Sequence, residues 1–199
     1  GTVMQDPEKY RVQILYTQID RDADNKPTFR TYEYNVDPGN YFYPASTVKL
    51  PTVALALEKI QALKKPGLTP ETTMLTDSAA DYQTQVTRDE SSPTGLPSVA
   101  HYARKILLVS DNDAFNRLYE FLGQKEINES MRRKGYFDTR IVHRLETALS
   151  KSQNQWTNPV QFVKDDAVVY GDDQNRKSQW ENNYLRTCNG SAIYEYVWG

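Results

Sequence analysis

A serine and a lysine three residues apart, Ser46 and Lys49, have the residue types and the spacing for covalent chemistry. Side chains three apart on a helix project from the same face, so we expect the lysine amine near the serine hydroxyl. A buried lysine can lose its proton and then act as a base that turns the serine into a strong nucleophile. The spacing predicts the start of a serine acyl-transfer site. The alternative is a helix N-terminus with Ser46 or Thr47 as cap and Lys49 as a solvated charge.

Two further motifs follow along the chain. A Ser-Asp-Asn tripeptide begins at Ser110, and an Arg-Leu-Glu tripeptide ends at Glu146 in a loop-like stretch. Each has a simpler interpretation. Ser, Asp and Asn are preferred helix N-caps, and a helical pattern begins at Asp113. Arg144 and Glu146 taken alone would be solvated surface charges.

In this order, the three motifs resemble the serine β-lactamase and penicillin-binding protein superfamily, and class A β-lactamases in particular, from the first strand to about Val160. The resemblance implies a β-lactamase-like α/β (α+β) fold, in which an antiparallel sheet packs with helices beside an all-helical lobe. It also implies a periplasmic or secreted hydrolase that cleaves the β-lactam amide through an acyl-enzyme. The alternative within the superfamily is a penicillin-binding D,D-peptidase or transpeptidase that acts on cell-wall peptides.

The resemblance implies a role for each candidate residue. Ser46 would be the acylated nucleophile, and Lys49 would relay its proton. Ser110 would pass that proton to the departing nitrogen, and Asn112 would bind the side-chain amide of the substrate. Glu146 would activate the deacylating water. Whether the lysine or the glutamate takes the serine proton during acylation is disputed for class A enzymes, and the sequence leaves both open.

Three residues would support the site by the same resemblance. Asp111 would bond backbone groups, and Arg144 would brace the loop of Glu146. Ser150 stands where the family has an Asn that helps to hold the hydrolytic water, and Thr147 replaces the usual Pro. A serine is shorter than an asparagine and cannot offer both amide groups. Slow deacylation is therefore expected, which favours the peptidase alternative.

The third motif of the family, a Lys-Thr-Gly triad on a central strand, does not follow Val160, and Lys177-Ser178-Gln179 lacks the glycine. That strand would supply the second oxyanion donor, and losing one such donor costs about 10²–10³ in rate. We therefore expect a divergent relative or the N-terminal portion of a longer protein, without the C-terminal part of the fold. A catalytically incomplete fragment or binding domain is the third alternative. Because the chain begins with Gly1, any signal peptide is expected to have been removed.

Composition limits the partners. The chain of 199 residues has 24 Lys and Arg and 26 Asp and Glu, so its net charge is -2. This charge balance argues against a nucleic acid as binding partner. The single cysteine, Cys188, allows no internal disulfide or cysteine-based zinc site, and the two histidines lie far apart. No metal or cofactor is expected, and no apolar run reaches the roughly 20 residues of a bilayer span. The expected partner is a small β-lactam or a cell-wall peptide, and the oligomeric state stays open.

Hydrophobic periodicity predicts the elements that position these residues. Strands are expected over 10–19 and 28–36 as an antiparallel pair, and over 193–198. Helices are expected from Thr47 to the Pro66-Gly67 stop, and over 98–109, 113–122 and 126–134. Residues 69–94 are polar and turn-rich, with short helical segments. We divide the chain into N-terminal strands (1–45), a mostly helical lobe with the motifs (46–160), and a polar connection with a terminal strand (161–199).

Overall fold

The computed structural model describes residues 1–37, 39–172 and 176–177, and its contacts form two compact units that divide between Tyr43 and Pro44. The first contains a short helix α1 (Thr2–Gln5) and the strands β1 (Ile14–Arg21) and β2 (Pro27–Tyr34). The strands pair antiparallel, with Ile14 opposite Tyr34 and Arg21 opposite Pro27. The antiparallel pair predicted from the sequence is confirmed, although β1 begins at Ile14 rather than at residue 10, whereas α1 was not predicted.

The second unit is mixed α/β. A 3-10 helix, Ala45–Val48, leads into α2 (Lys49–Leu63), which is followed by α3 (Val99–Val109), α4 (Asn112–Leu122), α5 (Gln124–Arg133) and α6 (Lys151–Asn154). Its strands are β3 (Thr73–Thr76), β4 (Trp156–Thr157), β5 (Val160–Lys164), β6 (Ala167–Asp172) and β7 (Arg176–Lys177). Strands β3, β5 and β6 form one antiparallel sheet, and β4 pairs with β7.

Capping residues explain where the helices begin and end. The side chains of Ser98 and Asp111 accept hydrogen bonds from amides in the first turns of α3 and α4. Gly123, at a φ of 82°, separates α4 from α5. The four predicted helices are confirmed, with two differences at their starts. The segment from Thr47 first forms the 3-10 turn, so α2 begins at Lys49, and α5 begins at Gln124 rather than at residue 126.

The prediction of short helices within 69–94 was wrong where β3 forms. Met74 and Thr76 are buried on one face of this strand, and Met74 lies opposite Phe162 of β5. The partner strand lies far along the sequence, so local propensity could not reveal the pairing. The apolar stretch after Pro159 likewise becomes the β5–β6 hairpin, which turns at Asp165 and Asp166 with left-handed φ values of 50° and 62°.

The core lies between the helices and the three-stranded sheet. Its fully buried side chains include Phe115, Leu118 and Tyr119 of α4, together with Met74 and Phe162 of the sheet. Because α4 is buried along most of its length, it is a rigid support for the residues at its ends. In the described part of the chain, no helix is both long and apolar enough to cross a bilayer. The strand predicted over 193–198, and most of the polar stretch 172–183, lie outside the described residues.

Candidate active site

The ammonium group of Lys49 joins the first sequence motif to the second. Lys49 is the first residue of α2 and is only 3% exposed. Its Nζ atom donates to the Ser110 hydroxyl at 2.9 Å, to the Ser110 carbonyl and to the side-chain oxygen of Asn112. An ammonium has three N–H donors, and these three acceptors match them. The packing of α2 against α4 thus brings together residues more than 60 positions apart.

Burial lowers the pKa of Lys49 below its ordinary value, because desolvation disfavours the charged form. The negative charges of Asp111 and Glu146 oppose this shift. Both carboxylates therefore lie within electrostatic range of the amine, so part of each of the three motifs is near Lys49. The net lowering makes the amine easier to deprotonate, as a general base requires.

Ser46 lies in the 3-10 helix, and its side chain is exposed. The sequence predicted that the Lys49 amine would approach the Ser46 hydroxyl, but no hydrogen bond joins them in the described structure. The reason is that the lysine amine is directed toward the turn between α3 and α4. Ala45, directly before Ser46, has a left-handed φ of 46°. Backbone strain of this kind in non-glycine residues clusters at functional sites.

The Ser-Asp-Asn motif is the turn between α3 and α4. Ser110 ends α3 with a left-handed φ of 57°. Asp111 caps α4, since its Oδ1 atom accepts from the Ala114 amide at 2.8 Å. Asn112 is the first residue of α4. The helix-cap interpretation therefore holds for Asp111, while Ser110 and Asn112 on either side of it bind Lys49.

Asn116 holds the backbone of the loop that carries Glu146. Its side-chain oxygen accepts from the Leu145 amide at 2.8 Å, and its Nδ2 atom donates to the Leu145 carbonyl at 2.9 Å. The same Nδ2 atom donates to the Thr147 hydroxyl at 3.2 Å. Glu146, between these residues, is exposed with a left-handed φ of 51°. Asn116 was not among the predicted site residues, because its place one helical turn after Asn112 indicates only that the two share a face of α4 and not what Asn116 binds.

Arg144 is buried and ties the start of this loop to the interior. Its Nε atom donates to Glu120 at 2.7 Å, and its Nη2 atom donates to the Trp156 carbonyl at 3.0 Å. Its backbone amide donates to the Asn154 side chain at 2.9 Å. Removing one partner of a buried ion pair costs about 3–5 kcal/mol, because an uncompensated charge stays behind. Glu120 and Asn154 were also missed, since they are single polar residues within helical segments.

Ser150 caps α6. Its hydroxyl accepts from the Gln153 amide at 3.2 Å, and the Gln153 side chain accepts from the Ser150 amide at 2.8 Å. This capping box commits one lone pair of the Ser150 hydroxyl to the helix. By the resemblance, position 150 belongs to a residue that helps to hold the hydrolytic water. In the structure, the Ser150 side chain caps a helix instead.

The stretch considered for the third motif is described only in part. Lys177 lies in β7 opposite Trp156 of β4, whereas Ser178 and Gln179 are outside the described residues. Within the ranges that the structure describes, no three His, Cys, Asp or Glu side chains are grouped to bind a metal ion.

A buried lysine bound by a serine and an asparagine, on a mixed α/β core, has the form of a serine hydrolase site. The model of the Beta-lactamase enzyme family matches residues 4–183. Because this match covers most of the chain, the chain belongs to the β-lactamase enzyme family. The resemblance inferred from the motifs is thus confirmed. No curated protein matches the chain.

Proposed function

We propose that the chain is a serine hydrolase that cleaves β-lactams through an acyl-enzyme on Ser46, within a class A-like fold. The observation that carries this proposal is the buried Lys49 amine, which contacts both Ser110 and Asn112 and acts as a base once it has lost its proton. Two residue types that acyl transfer requires, a base and a proton donor, are thereby in direct contact. Membership of the β-lactamase enzyme family supports the same reaction class.

In the proposed acylation, the neutral amine of Lys49 takes the proton of the Ser46 hydroxyl, whose oxygen attacks the lactam carbonyl. The backbone N–H of Ser46 donates to the developing oxyanion. As the carbon–nitrogen bond breaks, the Ser110 hydroxyl gives its proton to the nitrogen and receives one from Lys49, 2.9 Å away. Catalytic hydrogen bonds in unliganded sites often tighten only when substrate binds. The exposed Ser46 hydroxyl is therefore compatible with this step.

In the proposed deacylation, Glu146 takes a proton from a water molecule, whose oxygen attacks the ester of Ser46. When the ester carbon–oxygen bond breaks, the proton held by Glu146 passes to the Ser46 oxygen, directly or through Lys49, so the products are the opened acid and the free serine. Exposure of Glu146 gives it access to that water. For the acylation step we assign the base to Lys49 rather than to Glu146, because burial lowers the pKa of the lysine.

A penicillin-binding D,D-peptidase-like enzyme is the second candidate, and the Ser150 capping box favours it. A hydroxyl engaged with the Gln153 amide is a poor holder for hydrolytic water. Such an enzyme would form the same acyl-enzyme and release it slowly. For either candidate we propose a periplasmic or secreted location, because cell-wall peptides are found there. The basis for this location is family membership.

Intact mass spectrometry after incubation with a penicillin tests the proposal. The variants are Ser46→Ala and, as a matched control, Ser152→Ala at an exposed position of α6. Loss of penicillin without an accumulating adduct, dependent on Ser46, supports the hydrolase. A long-lived adduct that disappears in Ser46→Ala supports the peptidase-like enzyme. Neither an adduct nor loss of penicillin would contradict both and support a catalytically incomplete chain.

A further inference from the structure

Glu120, on α4, is a buried carboxylate that the proposed reaction does not use. Its side chain is 2% exposed and contacts two guanidinium groups. Oε1 accepts from Arg144 Nε at 2.7 Å, and Oε2 lies 3.1 Å from Arg117 Nη1. A carboxylate is seldom buried so completely without a structural or functional reason. One of its partners, Arg144, lies two residues before Glu146 in the chain.

Glu120 continues a row of polar side chains along one face of α4. Asn112, Asn116 and Glu120 are spaced four residues apart, so each lies about 6 Å further along the helix axis than the one before. Asn112 binds Lys49, and Asn116 binds both backbone polar groups of Leu145. Glu120 binds Arg144. One face of one helix thus contacts both the proposed base of acylation and the loop of the proposed base of deacylation.

We infer that Glu120 is a positioning residue, which holds Arg144 to α4 and thereby sets where Glu146 stands relative to Lys49. The inference rests on the proposed function only for the consequence at Glu146. The attachment of the loop to α4 is a separate statement about the fold and has its own test.

The negative charge of Glu120 is essential to this role. Arg117, also on α4, donates to the carbonyl and the hydroxyl of Thr84 at 3.0 and 3.2 Å, so its guanidinium cannot move away from position 120 without losing those bonds. A neutral side chain at 120 would leave the Arg117 and Arg144 guanidiniums buried together without the carboxylate between them, and Arg117 would keep only the exposed Asp113, at 3.6 Å. The repulsion between the two guanidiniums would be relieved by displacing Arg144, because the loop that carries it is partly exposed.

Glu120→Gln tests the inference, since glutamine keeps the size of the side chain and removes its charge. The matched control is Glu126→Gln on α5, which loses a 2.7 Å bond to Lys59 at a side chain that is 42% exposed. Amide hydrogen exchange is measured over residues 144–150 and, for comparison, over α3. In Glu120→Gln we expect exchange of the loop amides to accelerate about tenfold or more while α3 stays as in the wild type. In Glu126→Gln both segments should match the wild type.

Penicillin kinetics provide the second measurement. A displaced Glu146 should slow deacylation by about 10–100-fold. The maximal rate of adduct formation at high pH, where Lys49 is neutral in both proteins, should stay within about twofold, since Lys49, Ser110 and Asn112 are untouched. If Glu120 served only overall stability, the ratio of the acylation rate to the deacylation rate would stay unchanged. Exchange would then not rise in the loop alone while α3 stayed as in the wild type. Unchanged loop exchange and an unchanged rate ratio in folded Glu120→Gln would overturn the inference.

Failure of the proposed function would look different. Loop exchange would rise in Glu120→Gln although wild-type protein formed no Ser46-dependent adduct and consumed no penicillin. If Glu120→Gln does not fold, the double variant Glu120→Gln/Arg144→Gln removes both members of the buried pair and is expected to fold, because Arg117 keeps Asp113 at 3.6 Å and no buried charge stays unpaired. It should show the same faster exchange over residues 144–150, and native-like exchange there would overturn the inference.

Discussion

The Nζ atom of Lys49 lies 2.9 Å from the hydroxyl oxygen of Ser110. The lysine begins α2, and the serine ends α3 in a left-handed conformation. A proton can pass directly between them, from the group proposed to remove it from Ser46 to the group proposed to deliver it to the leaving nitrogen.

Lys49→Met is expected to slow formation of the penicillin adduct by about 10²–10⁴, the usual contribution of a general base. The methionine keeps most of the apolar length of the side chain and has no group that can accept the Ser46 proton. Adduct formation is followed by stopped-flow mixing and mass spectrometry. Lys134→Met, an exposed lysine paired with Glu58, is the control and should react at the wild-type rate. A wild-type rate in Lys49→Met would mean that another group is the base.

The pH profile of acylation should reveal the environment of Lys49. Burial lowers its pKa from the ordinary value of 10.5, so the rise in rate with pH should occur below that value. Glu146 opposes this lowering, so Glu146→Gln should lower the lysine pKa further and move the rise to lower pH. The measurement is the rate of adduct formation against pH for both proteins. If Glu146 were the acylation base, the variant would lose the pH-dependent rise instead of shifting it.

Asp111→Ala should destabilise the fold by about 0.5–2 kcal/mol through loss of the α4 cap. The 2.8 Å bond from the Ala114 amide disappears, and the turn that holds Ser110 and Asn112 against Lys49 loosens. Urea unfolding measures the free energy, and adduct formation should slow in the same variant. Asp138→Ala is the control, because this aspartate is exposed and caps no helix, so its loss should cost less than about 0.5 kcal/mol. Equal costs in the two variants would contradict the capping role.

Tyr102→Phe is expected to raise the free energy of unfolding by about 1 kcal/mol. The Tyr102 hydroxyl is buried and has no hydrogen-bond partner among the described residues, so its desolvation is uncompensated.

Burial also raises the pKa of Tyr102, so the folded protein disfavours ionisation of this group. Wild-type stability should therefore fall above pH 10 or so, as unfolded tyrosine ionises. In Tyr102→Phe, the part of this loss of stability that comes from ionisation of Tyr102 should be absent.

Urea titrations at several pH values check this prediction. Thermal melts of the two proteins at neutral pH give an independent comparison. A variant less stable than wild type at neutral pH would mean that the hydroxyl has a partner, such as bound water, whose loss is costly.

Helices were predictable because their signals are local. The apolar period of residues 98–109, the Ser98 cap and Gly123 between α4 and α5 lie within the segments that they define. Strand β3 was missed because its burial depends on β5, far along the chain. The supporting residues Asn116 and Glu120 were missed for a related reason: a polar residue in a helix gives no local sign that a distant loop will bind it.

By itself, the sequence determined the order of the three motifs, the helices that carry two of them and membership of the β-lactamase enzyme family. Only the tertiary structure decided that the Lys49 amine turns to Ser110 and Asn112, and that Arg144 pairs with Glu120. The physical reason is range. Periodicity and caps act over one or two helical turns, whereas the direction of a buried charge follows from the acceptors that distant segments bring to it when they pack.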